Sequence, residues 1–394
     1  MMELIKANIE LVVINDLKKV LTMISDEKVN IFIDEFIYEI FGEMLTTESF
    51  VYIDDHNESG IVDVVWNDAP GHLENVIESH GGSGTFRLEA GMTYFTLNTI
   101  SVYDGSVLNI IGAENGDGRP ATIQPVSDME GNLYIDSGWP RTFFTVEGEF
   151  TELHLHNIIM NGIAANPSNG NIVSINATVD RGFHNKIVMD NCVVSHFESV
   201  AMMNLGTSAD YHVTNTVFKD QLSWGNGMFF GGVIWGAGNW MGTIDTIEFR
   251  HNTVSGIVGE ALALYEHVDH GVVDHNTFSN ITMGALFDMT ANNLHFTNNL
   301  LYNVRAYGQS SYDITNGSVH NWPGGKGQLE TRNRAVNGQS SGTYVMNRDS
   351  TIVDMSNRNI HYGNNIMVWS DELIDFMDNL AEKGDCPLYD AMAC

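Results

Sequence analysis

Cysteine, basic side chains and long apolar runs are all scarce in this chain of 394 residues. Its three cysteines, Cys192, Cys386 and Cys394, are too few for a disulfide-stapled scaffold or a four-cysteine zinc site. Cys192 falls in a repeated apolar strand pattern, where a small buried thiol is expected. Cys386 and Cys394 could close a C-terminal loop in an oxidising compartment, or equally stay free. Only 18 lysines and arginines face 50 acidic residues, giving a formal charge of -32. So acidic a surface repels phosphates and anionic lipid heads, which argues against nucleic acid as a partner. It would also repel a polyanionic glycan unless a divalent cation bridged the charges. No stretch reaches the roughly 20 continuous apolar residues that span a bilayer, so no membrane insertion is expected. The opening MMELIKANIELVVINDLKKVL is a poor signal peptide, its apolar run being short, broken by Glu10 and followed by charge.

What the chain has is a repeat. LHNIIMNGI holds Asn157, MDNCVVSHF holds Asn191, and VTNTVFKDQ holds Asn215. FRHNTVSGI holds His251, VDHNTFSNI holds His275, FTNNLLYNV holds Asn298, and YGNNIMVWS with Asn364 is a weaker late copy. From Asn157 to Asn298 the intervals are 34, 24, 36, 24 and 23 residues. The units are rich in Val, Ile, Phe and Thr and punctuated by Asn and Gly, as strands are, and they lack the i, i+3, i+4 spacing of helices. A second strand family precedes each ladder residue: FFTVEG, IVSINA, AMMNLG, VIWGAG, ALALYE and ALFDMT. Short strands in fixed order about 24 residues apart predict an all-β chain, a parallel β-helix whose coils bury a continuous core only when stacked.

Residues 72–125 read as earlier, less regular coils. The stretch HLENVIESHGGSGTFRLEAGMTY with LNIIGAENGDGRPATIQP resembles the way many pectate-lyase-like right-handed parallel β-helix proteins begin. That resemblance, over about residues 70–304, implies the solenoid's handedness and an extracellular or surface setting. It does not imply one reaction, because the fold hosts lyases, hydrolases, isomerases, tailspikes and adhesins. The expected organisation is an N-terminal helical capping or assembly segment over 1–70 and the β-helix over 71–304. A long polar, Gly-rich loop follows over 305–341, then last coils, a short C-terminal helix and a tail over 342–394. The helix is expected in SDELIDFMDNLAEKGD, with Ser370 as N-cap and Gly384 as its stop.

Four groups of residues are candidates for chemistry. The ladder Asn157, Asn191, Asn215, His251, His275 and Asn298 follows the architecture, so it is expected to be structural rather than a row of ligands. ALYE and ALFD place Glu266 and Asp288 at matching positions on neighbouring coils, while counting from the ladder aligns Tyr265 with Asp288 instead. Stacked strands ~4.8 Å apart would bring such carboxylates near the ~5–5.5 Å of a retaining glycosidase pair, or let them hold calcium. The insertion LSWGNGMFFGGVIWGAGNWMG gathers Trp224, Phe230, Trp235 and Trp240 with Phe229. These rings could stack on sugars, cover core or form a subunit interface. Finally, EALALYEHVDHGVVDHNTF with GALFDMTANNLHFTNN is similar to the core of polysaccharide lyase family 6, alginate and chondroitin lyases. That family's lysine base corresponds to His267, its arginine to Met289, and one of its calcium ligands to Glu260, with Leu262 at the next. Glu260, Glu266 and Asp288 are therefore the calcium candidates, and His267 a candidate base.

Three functions follow as expectations. The favoured one is an extracellular or surface β-helix that binds polysaccharide or builds a homo-oligomer or filament without catalysis. The others are a polysaccharide lyase or glycoside hydrolase working in a groove of the solenoid, and a phage-tailspike-like adhesin.

Overall fold

The computed structural model describes residues 60–372 with internal breaks. The breaks are 115–118, 126–142, 163–176, 198–200, 205–207, 222–233, 237–242, 258–259, 282–283, 305–309 and most of 314–357. The expected N-terminal helical segment up to residue 59, the expected C-terminal helix beyond 372, Cys386 and Cys394 lie outside the described residues.

Each coil carries three strands rather than the two that the repeat suggested. The first runs through Phe144–Glu149, Ala177–Phe183, Met202–Asn204, Ile234–Gly236 and the start of Glu260–Asp274. The second runs through Glu152–His156, Lys186–Asp190, Ala209–Thr214, Thr243–Arg250, the end of Glu260–Asp274 and Leu294–Thr297. The third runs through Ile158–Asn161, Val193–Ser195, Val217–Lys219, Thr253–Ile257, Thr277–Ile281 and Leu300–Val304. Every one of these pairings is parallel. Glu260–Asp274 is a single strand of 15 residues that serves as first and second strand at once, which joins those two faces into one 17-stranded sheet. The third strands form a separate 9-stranded sheet. The architecture is all-β and built of stacked parallel sheets, consistent with a β-helical solenoid.

Alternation explains why these segments are strands. Glu152–His156 and Ala209–Thr214 put every second residue inside. Leu153, Leu155, Tyr211 and Val213 point inward and are fully buried, while Glu152, His154, His212 and Thr214 stand outward. Across the interior the two sheets interlock through stacked rings, Phe218 on Phe249 at 6.0 Å, Phe249 on Phe278 at 6.2 Å, and Phe278 on Phe296 at 5.9 Å. Burial in this column is worth roughly 2–3 kcal/mol per Phe.

The corners carry the sequence repeat. Asn157, Asn191, Asn215, His251, His275, Asn298 and Asn364 all have φ between 51° and 55°, the left-handed region that Asn and His tolerate better than branched residues. Each turns the chain from a second strand to a third. The residue after it points inward, and there the solenoid keeps its polar spine. Asn252 N donates to Asn276 Oδ1 at 2.8 Å, Asn276 N to Asn299 Oδ1 at 2.8 Å, and Asn299 N to Asn365 Oδ1 at 3.0 Å. Earlier coils keep the same bond with other groups. Thr216 N donates to Asn252 Oδ1 at 2.9 Å, and Cys192 N to Thr216 Oγ1 at 3.3 Å.

The ends differ. One described helix, His72–Ser79, lies just before the first regular coils and buries Leu73 and Ile77 in the core. Its Glu74 Oε1 accepts the backbone N–H groups of Leu97 and Asn98, and Gly71 N donates to Phe95 O at 2.8 Å. At the other end, His361–Gly363 and Ile366–Val368 form the last described rungs. Within 305–341, Ser310–Asp313 and Ser318–Asn321 pair antiparallel, and Leu329–Thr331 returns to pair with Leu286–Asp288.

Candidate functional surface

The candidate carboxylates lie on backbone whose register is defined. Asp288 pairs with Leu264, not with Glu266 or Tyr265. The register then shifts before His267 pairs with Thr290, so Tyr265 and Glu266 oppose Met289 alone, a β-bulge. The expected one-to-one match of Glu266 with Asp288 is therefore corrected: an extra residue enters one strand, and counting along the sequence cannot see it. Strand spacing puts the two Cα atoms about 8 Å apart. Of the calcium candidates, Glu260 pairs with Gly284 at the start of the 15-residue strand that also carries Glu266.

Of the aromatic platform, Trp235 lies on the strand Ile234–Gly236, where it pairs with Met203 and Ala263. Trp224, Phe229, Phe230 and Trp240 lie outside the described residues. Cys192 is fully buried beside the polar spine, its Sγ donating to Leu155 O and Asp190 O. Burial pushes its thiol up to about 12, which leaves it unreactive at neutral pH.

The ladder side chains have scaffold roles. Asn157 Nδ2 donates to Gly112 O at 2.8 Å, and Asn191 Nδ2 to Asn157 Oδ1 at 3.4 Å. His251 stacks on His275 with ring centres 5.3 Å apart. Two clamps recur in the same form. Asp190 Oδ1 accepts from Thr214 Oγ1 at 2.6 Å and Asn215 Nδ2 at 2.9 Å, and Asp274 Oδ1 accepts from Thr297 Oγ1 and Asn298 Nδ2 at the same two distances.

The outward side of the second strands presents a feature that the sequence reading passed over. His154, Val188, His212, Glu248, Val272, His295 and His361 follow one another in register along one outward row. His156, Asp190, Thr214, Arg250, Asp274 and Thr297 form the row beside it. With His251, His270 and His275, eight of the chain's 15 histidines share this face. A signal was present in LHLH, YHVT, LHFT and HYG, where histidine takes the outward positions of alternating strands.

Four of these eight imidazoles meet carboxylates, among them His270, whose Nδ1 lies 3.1 Å from Asp269 Oδ2. His154 Nε2 lies 2.8 Å from Glu152 Oε2, His212 Nδ1 3.1 Å from Glu248 Oε2, and His275 Nδ1 2.6 Å from Asp274 Oδ2. Burial pulls His154 and His156 below the ordinary imidazole value, against the opposing pull of Glu152 on the first and Asp190 on the second. The hydrogen bond with His212 holds Glu248 below the usual carboxylate range. For Asp274 burial pushes upward, but bonds from Thr297, His275 and Asn298 together outweigh it and the carboxyl stays low. Asp245 goes the other way, raised by burial and then by the neighbouring charges of Asp210 and Asp269. Among the described residues no three His, Cys, Asp or Glu side chains are placed to hold a metal ion.

Comparison with known proteins adds no identity: no family model, no curated protein and no solved structure matches this chain.

Proposed function

We propose that this chain is an extracellular or surface scaffold of the right-handed parallel β-helix type, allied to the pectate-lyase-like superfamily. It binds polysaccharide or builds a structural assembly, without turning substrate over. The observation that carries this reading is the repetition of scaffold roles from coil to coil. The Asp190 and Asp274 clamps, the left-handed corners and the Asn252–Asn276–Asn299 spine assign polar side chains to architecture at equivalent positions, not to one catalytic locus. The outward rows then form a long regular surface, the kind that stacked repeats use for binding and assembly. The test is a glycan array, followed by incubation of each retained polysaccharide with the protein. Retention without new reducing ends or unsaturated products supports the reading, and product formation overturns it.

A second reading, a polysaccharide lyase or glycoside hydrolase, is favoured by one specific feature. The bulge at Tyr265–Glu266 falls beside Asp288 and His267, and bulges often re-aim side chains next to active sites. If the incubation releases products, Glu266→Gln, His267→Gln and Asp288→Asn should each abolish the release. Undiminished release in all three removes these residues from the chemistry.

A further inference from the structure

The eight histidines of the outward face sit within a defined set of charges. From the second strands, Glu152, Lys186, Asp190, Asp210, Glu248 and Arg250 face outward among them, with Asp274 at the last turn. Asp245, Asp269 and Arg358 flank the same face at its corner, and the Asp63–Arg87 pair lies at its N-terminal end. Eight carboxylates thus face four fixed cations, a local balance of -4 with all the imidazoles neutral. Each imidazole protonated adds one positive charge, so the sign reverses once more than four of the eight carry a proton. The rest of the chain does not reverse, because its 50 acids outnumber its 18 cations and 15 histidines together.

We propose that in mildly acidic medium this face docks onto the acidic surface of a second copy of the chain, so that assembly is switched by pH. The inference rests on the assembly branch of the function proposed above and adds its surface, its partner and its trigger. Charge complementarity selects the occupant, since the chain itself carries the opposite charge in excess. Imidazole is the side chain whose ordinary titration falls in this range. The docking patch and its target are different surfaces, which makes the contact heterologous and able to propagate copy by copy. Seven second strands, from Glu152–His156 to His361–Gly363, carry the histidines. At ~4.8 Å between strands and ~17 Å along them, that is roughly 500 Å². A standard interface buries about 800 Å² per partner, so association is weak, reversible and salt-sensitive. The Debye length of about 8 Å at physiological ionic strength screens the overall repulsion between copies while leaving close contacts effective.

The experiment is light scattering on the full chain, with circular dichroism at each pH to keep the folded state in view. Between about pH 7.5 and about pH 5.5 the weight-average mass should at least roughly double, return on neutralisation, and fall back in about 0.5 M salt. The triple variant His156→Gln, His295→Gln, His361→Gln should lose most of the rise. The double variant His154→Gln, His212→Gln should do so separately, which keeps the test open if one variant fails to fold. The control His80→Gln, His196→Gln removes two histidines from elsewhere and should keep the rise. Equal loss in the control would reduce the effect to net charge and overturn the inference. A protein that stays monomeric at pH 5.5 but binds dextran sulfate there also overturns it, in favour of a polyanion. Assembly already complete at neutral pH removes the switch but leaves the proposed function standing. A monomer at every pH that retains no glycan sinks both.

Discussion

Asn299 Oδ1 accepts two hydrogen bonds from Asn276, one from its backbone N at 2.8 Å and one from Nδ2 at 3.0 Å. Asn276 Nδ2 also reaches Phe249 O at 2.8 Å, across the corner, and Asn276 Oδ1 receives Asn252 N. One buried amide thus satisfies two backbone groups of the neighbouring coil, either side of its corner, and Asn299 does the same for Val273 O and Asn276 N. Unpaired, each buried backbone group would cost about 1–3 kcal/mol. That is why an interior otherwise built of Phe, Leu, Ile and Val keeps a column of polar residues.

Asp274 gives a pH prediction. Its carboxyl is held below the ordinary 3.8 in the folded chain, so it stabilises the fold above that value. The contribution is lost as pH falls through 3.8 toward the folded value. Asp274→Asn should therefore cost about 1–3 kcal/mol near neutrality and flatten the acid limb of stability. Urea unfolding followed between about pH 3 and about pH 7 reads both effects. An acid limb as steep as that of the unchanged chain would contradict the role assigned to the clamp.

His154 and His156 act at higher pH with the opposite chemistry. Burial lowers both, so the folded state resists taking their protons more than the unfolded chain does. Stability should fall as pH drops below 6.5 toward their folded values. The His154→Gln, His156→Gln variant should lose part of that decline in thermal unfolding. A decline unchanged in the variant would assign it to other groups.

Gly112 tests the close approach of neighbouring coils. A Cβ there would collide with the backbone O of Asn157, on the coil that pairs with it. Gly112→Ala should cost about 1–3 kcal/mol, because backbone cannot swing aside as a side-chain tip can. An unfolding midpoint matching that of the unchanged chain would show that the coils have room to separate.

Cys192 should resist a thiol reagent in the native state. It is fully buried and its thiol is pushed up to about 12. Peptide mapping after labelling at neutral pH should find it modified only in denaturant. Rapid native labelling would mean that this corner of the solenoid opens.

The repeat was legible because left-handed corners admit few residues, and Asn or His fills all seven, from Asn157 to Asn364. The spine beside them was less legible. Cys192, Thr216, Asn252, Asn276 and Asn299 share one backbone position but not one chemistry, although the second Asn of HNT and NNL did recur. The additional strand of each coil was hidden in part because Glu260–Asp274 continues through a corner as one strand of 15 residues. The partner of Asp288 was hidden by the bulge at Tyr265–Glu266, which shifts the pairing by one residue. The histidine face needed register, since its members come from neighbouring strands 23 to 66 residues apart in sequence and only stacking brings them together.

The central claim is that the inner residue of each corner, rather than the His or Asn before it, holds successive coils together. Equilibrium unfolding of His275→Asn and Asn276→Ala tests it directly. His275→Asn keeps a residue suited to φ 54° and should change stability by less than about 0.5 kcal/mol. Asn276→Ala strips partners from Asn252 N and Phe249 O and should cost about 3–5 kcal/mol. A larger loss from His275→Asn than from Asn276→Ala would contradict the account.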